Sequence, residues 1–259
     1  MGKFSGILIG TDWDGTLYCN ETISEENMKA IRYFQENGGL FTICSGRYYE
    51  FLKQFTHIVH PNTYTVCYNG GLITNIDTNE VLYSGFCDGY VFEIVDKILK
   101  LGIPYHSVNI YDDVMPKPQE LTVEEYINGK ESFKNKNIYK VLLKTDTPAN
   151  GELGSKLANE LDLRDYIAVR SWEVSLEIMK KENAKGIAMK RIAEVTGARL
   201  TVGVGNYEND IELLKETDIS YAVADAPDNV KAYAKRIAHN SLDSALAHII
   251  YEIEKEFCN

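Results

Sequence analysis

Two aspartates, Asp12 and Asp14, lie two positions apart directly after the apolar run of residues 7–10. Side chains at positions i and i+2 of an extended chain point to the same side, so both carboxylates can enter one pocket. Carboxylates that lie close together repel each other, and a cation or a shared proton relieves the repulsion. Oxygen ligands of this kind suit Mg²⁺. Taken alone, the segment is equally consistent with a solvated turn, because Asp and Gly are common turn residues.

Groups that suit an anion follow a second apolar run, residues 40–44. They are the tripeptide Ser45-Gly46-Arg47. A small hydroxyl and a glycine amide at a strand-to-helix turn can donate hydrogen bonds to phosphate oxygens. Taken alone, this tripeptide favours an ordinary turn, since Ser-Gly is a common turn sequence.

Two more polar sites precede helical segments later in the chain. Lys185 stands at the start of an apolar helix, where a cation opposes the helix dipole and needs an anionic neighbour, either Glu182 or a phosphate. The cluster GNYEND of residues 205–210 follows another apolar run. Helix capping alone would explain Asn206 and Glu208. Three strand ends with acidic or anion-binding groups, together with one lysine, nevertheless indicate a single shared site.

The elements that would position these groups alternate along the chain as short apolar runs and longer segments of helical period. This pattern indicates βαβ units and the α/β fold class with a parallel sheet. Near-continuous apolarity, which is typical of strands covered on both faces, predicts strands at residues 7–10, 40–44, 65–68, 200–204 and 220–224. Helices are predicted over residues 24–37 and 186–196 and from an N-cap near Ser241 to Ile253. Ligand sites of such sheets lie at the carboxyl ends of the strands, where the polar groups stand.

The middle of the chain has a different order of elements. Predicted strands at residues 166–170 and 174–179 follow each other directly, which is typical of an antiparallel α+β unit. The other elements predicted there are helices at 91–101, 123–127 and 152–161 and strands at 105–110 and 138–143. We therefore predict a core domain of residues 1–84 and 180–259, with an inserted α+β domain at residues 85–179.

Composition narrows the range of partners and compartments. The chain has 259 residues, of which 44% are hydrophobic and 25% charged, as in an ordinary folded enzyme. The net charge of −11 and the absence of a basic cluster argue against nucleic acid as a partner, and no apolar run is long enough to span a membrane. Five widely spread cysteines without a C-x-x-C pair favour a reducing compartment. The N-terminus does not resemble a signal peptide, so we expect a cytoplasmic protein, either a monomer or a weak homodimer.

The motifs together resemble those of the haloacid dehalogenase superfamily, specifically its Cof-type phosphatases with a large cap between the second and third motifs. The resemblance covers essentially the whole chain and rests on DWDGTL (12–17), SGR (45–47), NGG (69–71), KG (185–186), NDIELL (209–214), YAVA (221–224) and NVK (229–231). It implies a Rossmann-like parallel-sheet core with an inserted α+β cap. It also implies a Mg²⁺ cofactor and a small phosphorylated metabolite as substrate, such as a sugar phosphate or a phosphorylated cofactor.

The resemblance also implies a role for each matched residue. Asp12 would be the nucleophile that forms an aspartyl-phosphate. Asp14 would protonate the leaving oxygen and then deprotonate the attacking water, while Lys185 would offset the charge of Asp12 and of the phosphate. Phosphate or substrate binding is implied for Ser45, Gly46, Arg47, Asn69, Lys185 and Asn209. Metal binding is implied for Asp12, Asp14 through its backbone carbonyl, Asn206 and Asp210.

The sequence departs from the family pattern at Asn206, where relatives usually carry an aspartate that binds the metal. Asn can offer a carbonyl oxygen without the charge, so we expect weaker Mg²⁺ binding, partly compensated by Asp210. Asp225 is a second departure, since relatives more often have Asn there. A phosphate-ligand-binding or regulatory protein that has lost turnover stays open on account of Asn206, although both Asp12 and Asp14 are retained. A phosphomutase, which needs the same pair of aspartates, is the third hypothesis.

Overall fold

Residues 2–258 are described by the structure, a computed structural model, and within them the chain forms thirteen strands and nine α-helices. The strands are β1 (Ile7–Thr11), β2 (Leu40–Ile43), β3 (Tyr64–Cys67), β4 (Leu72–Asn75), β5 (Val81–Ser84), β6 (Tyr105–Asp112), β7 (Gln119–Thr122), β8 (Ile138–Thr145), β9 (Tyr166–Trp172), β10 (Ser175–Lys180), β11 (Leu200–Gly205), β12 (Ile219–Ala222) and β13 (Arg236–Ile237). The α-helices are α1 (Glu25–Glu36), α2 (Tyr49–Lys53), α3 (Tyr90–Leu99), α4 (Val123–Gly129), α5 (Pro148–Asn159), α6 (Lys185–Thr196), α7 (Ile211–Glu216), α8 (Asp228–Lys231) and α9 (Ala245–Phe257). Short 3₁₀ helices occupy Tyr68–Gly70, Lys130–Phe133, Lys181–Asn183, Glu208–Asp210 and Ser241–Asp243.

The predicted parallel sheet is present and has the strand order β13-β12-β11-β1-β2. Every neighbouring pair in it is parallel; Ile9 of β1, for example, pairs with Val202 of β11 and Phe41 of β2. The α/β fold class predicted from the alternation of apolar runs and helical segments is therefore confirmed.

Helices cover both faces of this core sheet. On one face, Ile9 belongs to an apolar cluster with Phe34 of α1 and Ile250 of α9. On the other face, Leu8 belongs to a cluster with Met189 of α6 and Leu213 of α7. Successive residues of β1 thus enter opposite cores, which explains why the strand is apolar throughout.

The strand predicted at residues 65–68 is present, but it is not a regular strand of the parallel sheet. The observed strand, β3, meets β2 only at the parallel bridge between Cys44 and Val66. It otherwise pairs antiparallel with β4, which pairs with β5 in a three-stranded sheet. The periodicity did not predict β4 and β5, because each is only four residues long and β5 is largely solvent-accessible.

The inserted segment contains a five-stranded antiparallel sheet in the order β7-β6-β8-β10-β9. Its helices cover one face, where Val95 of α3, Ala158 of α5 and Ile178 of β10 share an apolar cluster made only of residues between 87 and 178. The two strands predicted at residues 166–170 and 174–179 are present as β9 and β10, and their ends differ from the prediction by at most two residues. The helix predicted over residues 152–161 begins earlier, at Pro148, because the Thr147 side chain caps it by accepting a hydrogen bond from the Asn150 amide.

The chain crosses between the core and the antiparallel sheet twice, once after β5 and once after β10. The two crossings lie side by side, because Asn183 Nδ2 donates to the Gly85 carbonyl at 2.9 Å and Tyr83 Oη donates to Asn183 Oδ1 at 3.1 Å. Among the described residues, no helix combines the length and apolarity needed to cross a bilayer.

Candidate active site

The polar motifs meet at the carboxyl edge of the core sheet. Asp12 follows the last residue of β1, and Ser45 lies two residues beyond the end of β2. Asn206 directly follows β11, and the next turn brings Asp210 into the same edge. Since the three strands run parallel and adjacent, their carboxyl ends converge as the sequence predicted.

Lys185 links two of these carboxylates. The side chain is fully buried at the start of α6, and its Nζ donates to Asp12 Oδ1 and to Asp210 Oδ1, both at 2.6 Å. A buried ammonium group needs such partners because removing a charge from water costs several kcal/mol. The hydrogen-bond partners of this lysine are thus Asp12, as the resemblance implies, and Asp210, in place of the Glu182 that the sequence offered as one alternative.

The carboxyl group of Asp12 lies in an environment of opposing electrostatic influences. Burial raises its pKa, as does the nearby Asp210, and Lys185 acts in the opposite direction; the result is a pKa of about 7. For Lys185, burial acts against the charged form, but Asp12 and Asp210 outweigh it and raise the pKa of the ammonium group. The lysine therefore stays charged at neutral pH and supplies a fixed positive charge next to the carboxylate.

Asp210 is held on both of its oxygens. While Oδ1 accepts from Lys185, Oδ2 accepts from the backbone amides of Asn206 at 2.8 Å and Tyr207 at 3.0 Å. This arrangement fixes the loop after β11 and orients Lys185. The carboxylate predicted to bind metal is thus already engaged by three donors.

Asn206 points toward the loop after β1. One terminal atom of its amide lies 3.2 Å from Asp12 Oδ2, 3.2 Å from the Asp14 carbonyl oxygen and 3.0 Å from Thr16 Oγ1. The approach requires Gly15, which has a φ of +75°: a Cβ there would lie 2.5 Å from the Asn206 amide.

These groups fit a magnesium ion when the oxygen of the Asn206 amide faces Asp12 and Asp14. Mg²⁺ binds oxygen octahedrally at about 2.0–2.1 Å, which places adjacent ligand oxygens about 3 Å apart, and it usually takes only one or two carboxylates. The Asn206 position lies 3.2 Å from both Asp12 Oδ2 and the Asp14 carbonyl oxygen, which agrees with that spacing. Nowhere within residues 2–258 do three or more His, Cys, Asp or Glu side chains converge on a metal position, so this site offers one carboxylate and two neutral oxygens.

Arg47 binds the side chain of Asp14. Its Nε donates to Asp14 Oδ2 at 2.8 Å and its Nη2 donates to Asp14 Oδ1 at 2.7 Å, a bidentate geometry. The Arg47 and Asp14 side chains are 45% and 39% exposed, so they mark the side of the site that solvent reaches. The sequence placed Arg47 near phosphate but could not foresee that it contacts Asp14.

The loop after β2 is ordered by its own backbone. Ser45 is fully buried, its Oγ accepts from the Arg47 amide at 3.0 Å, and its carbonyl accepts from the Asn69 amide at 2.9 Å. The Gly46 carbonyl accepts at 2.7 Å from Nζ of Lys140, a residue of β8 in the antiparallel sheet.

Lys140 belongs to a buried polar network between the two sheets. It donates to Glu177 of β10 at 2.7 Å, and Glu177 also accepts from Asn69, which in turn accepts from Asn209 Nδ2 at 3.1 Å. Burial lowers the pKa of Lys140, and Glu177 opposes that shift. Asn69 and Asn209, expected near the phosphate, thus lie on the core side of this contact.

Sequence reasoning missed Lys140 and Glu177, although a signal for both was present. Each is a charged residue inside a mostly apolar predicted strand, at residues 138–143 and 174–179. Charged residues are rarely fully buried unless they are paired. A second contact between the sheets joins Arg170 of β9 to Glu208 through two hydrogen bonds, one of them 3.0 Å long.

The comparisons with known proteins agree with this geometry. A family model described as haloacid dehalogenase-like hydrolase matches residues 9–250. The chain is 27% identical to "Putative phosphatase YxeH" of Bacillus subtilis (strain 168), over 95% of this chain and 97% of that protein. It is 24% identical to "Pyridoxal phosphate phosphatase YbhA" of Escherichia coli (strain K12), over 94% and 97% of the two chains.

A solved structure supports the same fold. It is the structure of "the HAD Subclass IIB Sugar Phosphatase BT4131", with a TM-score of 0.76 and 16% identity, covering 95% of this chain and 98% of that one. The antiparallel sheet therefore corresponds to the cap of that fold, and we call it the cap sheet. The chain belongs to the haloacid dehalogenase-like hydrolases and is a phosphatase of that family.

Proposed function

We propose that this phosphatase is Mg²⁺-dependent and hydrolyses a small phosphomonoester through an aspartyl-phosphate on Asp12. The observation that carries the proposal is the position of Lys185, whose Nζ lies 2.6 Å from both Asp12 and Asp210 inside the core. A buried cation fixed on one oxygen of Asp12 orients that carboxylate. It also reduces the repulsion that an approaching phosphate dianion would meet.

Phosphoryl transfer depends mainly on positioning and charge neutralisation. Asp12 attacks phosphorus in line with the leaving oxygen, which divides hydrolysis into two easier displacements. The Ser45 hydroxyl and the Gly46 amide hold phosphate oxygens. When bound by Asp12, the Asp14 carbonyl and Asn206, Mg²⁺ supplies further positive charge to offset that of the phosphate.

Asp14 moves the protons in this proposal. It protonates the leaving oxygen in the first displacement and deprotonates water in the second, so one carboxyl group serves both steps. Its two hydrogen bonds from Arg47 hold it at the open side of the site. A bound phosphate gives Arg47 a second anionic partner and thereby frees Asp14 for proton transfer.

In this proposal Asp210 does not bind the metal directly. Because its oxygens already accept from Lys185 and from two backbone amides, it positions the lysine and the loop that carries Asn206. It acts on the metal only through these groups.

We infer a small polar metabolite as substrate. One relative is named a pyridoxal phosphate phosphatase and another a 5-amino-6-(5-phospho-D-ribitylamino)uracil phosphatase, both of which have small phosphorylated compounds in their names. The face of the cap sheet opposite its helices carries Lys140, Glu177 and Asn109, which are buried and polar. Such a face suits a substrate rich in hydroxyl or other polar groups.

The test is hydrolysis of a panel of phosphomonoesters by the purified chain, with Mg²⁺ and with chelator. We expect Mg²⁺-dependent release of phosphate, and a loss of at least about a thousandfold in kcat for Asp12→Asn, because the nucleophile is removed. Asp77→Asn, at an exposed turn where Asp77 pairs with His60, is the matched control and should retain full activity. Undiminished hydrolysis by Asp12→Asn would exclude the covalent route.

A regulatory phosphate-binding protein is the second candidate, and Asn206 is the residue that favours it. This candidate predicts phosphate-ester binding without turnover at any Mg²⁺ concentration. The same panel distinguishes the two, provided that binding is measured by calorimetry alongside hydrolysis.

A further inference from the structure

The Asn206 amide occupies a position where its orientation decides the chemistry of the site. The same terminal position is close to three oxygens, those of the Asp12 carboxylate, the Asp14 carbonyl and the Thr16 hydroxyl, at 3.2, 3.2 and 3.0 Å. An amide can place either its oxygen or its NH₂ group there by turning 180° about the Cβ–Cγ bond. Aspartate, with two equivalent oxygens, has no such choice.

With the oxygen inward, Asn206 Oδ1 faces three other oxygens. Thr16 Oγ1 can donate to Asn206 Oδ1 at 3.0 Å, but when Asp12 is ionised no proton stands between Asn206 Oδ1 and either Asp12 Oδ2 or the Asp14 carbonyl. Oxygens at this separation repel each other unless a cation lies between them. This orientation is therefore favourable only with a metal.

With the nitrogen inward, the same contacts become hydrogen bonds. The two N–H groups of Asn206 can donate to Asp12 Oδ2 and to the Asp14 carbonyl, both at 3.2 Å. Asp12 then receives one donor on each oxygen, from Lys185 and from Asn206. The hydrogen-bonding groups of the metal-free site are then satisfied by Lys185 and Asn206, without a metal ion or a proton on Asp12.

We propose that the side-chain amide of Asn206 substitutes for the metal in the metal-free protein. When Mg²⁺ binds, this amide rotates by 180° and places its oxygen toward the ion. The proposal rests on the function proposed above, since it concerns the same site. To bind, Mg²⁺ must break the two hydrogen bonds that the Asn206 amide donates. It then receives a neutral oxygen from Asn206, where an aspartate would supply a charged one. The chain therefore tolerates loss of the metal better, and binds Mg²⁺ more weakly, than it would with aspartate at this position.

The first test observes the amide directly in the unaltered chain. In a chelated sample labelled with ¹³C and ¹⁵N, the side-chain NH₂ signal of Asn206, assigned by its through-bond correlation to the Cβ and backbone amide of the same residue, should be protected from exchange with solvent. Addition of Mg²⁺ should shift that signal and remove the protection. An NH₂ signal that exchanges freely in chelator and ignores Mg²⁺ overturns the proposal.

The second test compares thermal unfolding and Mg²⁺ calorimetry for the unaltered chain, Asn206→Asp and Asn135→Asp. The last variant adds the same charge at an exposed turn of the cap and serves as the matched control. We expect Asn206→Asp to unfold at a lower temperature in chelator and to gain more stability from Mg²⁺. Its Mg²⁺ dissociation constant should be at least about tenfold lower, because ligand charge sets metal affinity.

Equal unfolding temperatures in chelator for Asn206→Asp and the unaltered chain, with equal stabilisation by Mg²⁺, contradict the proposal. If Asn206→Asp does not fold, the exchange measurement on the unaltered chain decides alone. Neither readout requires turnover. If the chain hydrolyses esters but both tests are negative, only this inference is refuted. If both tests are positive but no ester is hydrolysed, only the proposed function is refuted.

Discussion

Lys185 is a fully buried lysine between two carboxylates, so its removal should affect both stability and activity. Its loss leaves Asp12 and Asp210 buried without a counter-charge, and removing one partner of a buried ion pair typically costs about 3–5 kcal/mol. We therefore expect Lys185→Ala to lower the free energy of unfolding by about that amount and kcat by at least about a hundredfold. Denaturant unfolding and phosphate-release assays measure the two effects.

The control for this variant lies on the same helix. Lys190 pairs with Glu216 at the surface, and surface pairs contribute about 0–1 kcal/mol, so Lys190→Ala should change little. Adding Asp12→Asn to Lys185→Ala should cost less than the sum of the two single changes, because one of the unpaired charges is then absent. Strict additivity would mean that the two groups are not coupled.

The sequence predicted the convergence of Asp12, Asp14 and Lys185 because strand ends of a parallel sheet share one edge. It could not predict which oxygens would be engaged. That Arg47 holds Asp14, and that the loop amides hold Asp210, depends on side-chain directions that only the folded chain defines. The roles assigned to these residues stay predictions until the variants are measured.

At the scale of elements, the contact of strand β9 with the loop after β11 joins cap and core through Arg170 and Glu208. Both side chains are largely buried, and a bidentate arginine–carboxylate pair is among the stronger ion pairs. We expect Arg170→Ala to weaken the contact between cap and core and to speed hydrogen exchange in the loops at residues 45–47 and 205–210 by up to about tenfold.

Hydrogen exchange read by mass spectrometry measures this effect. Lys144→Ala is the control, since Lys144 pairs with Glu120 within the cap sheet and does not bridge to the core. Faster exchange in the Lys144→Ala variant as well would indicate general destabilisation of the cap. No change with Arg170→Ala would mean that this contact does not hold the cap closed.

Three of the strands that the sequence missed share a physical cause. β4, β5 and β7 are four residues long, and β5 and β7 are partly exposed, so their hydrophobic period is too short to read. The long buried strands of the core and cap were predictable because burial on one or both faces imposes a pattern on their composition. The pairing of β3 with β4 depends on the turn between them and not on the pattern of β3 itself.

At the scale of the whole molecule, the boundaries predicted from the sequence, residues 1–84 with 180–259 and residues 85–179, are our proposal for two cooperative units. The apolar cluster of the cap contains only residues between 87 and 178, which supports this division. We expect Ile178→Ala to destabilise the cap by about 2–5 kcal/mol, as large-to-small changes in cores do. Hydrogen exchange should then rise across residues 85–179 while the core strands stay protected.

The complementary variant is Ile250→Ala in the core cluster. It should raise exchange in β1, β2 and β11 and leave the cap sheet protected by its own cluster. Equal increases in both regions for either variant would show a single cooperative unit and would overturn the proposed boundaries.

The two chain crossings between core and cap act as one pivot, because Asn183 ties the second crossing to Gly85 in the first. A body attached at two widely separated points can only flex, whereas a body attached at one point can swing. We therefore expect any movement of the cap to be a rotation about the pair of crossings, with a displacement that grows with distance from them. On this expectation, small changes of angle at Gly85 and Asn183 would become large movements at the far end of the cap sheet, and access to Asp12 and Asp14 would depend on two residues of the crossings.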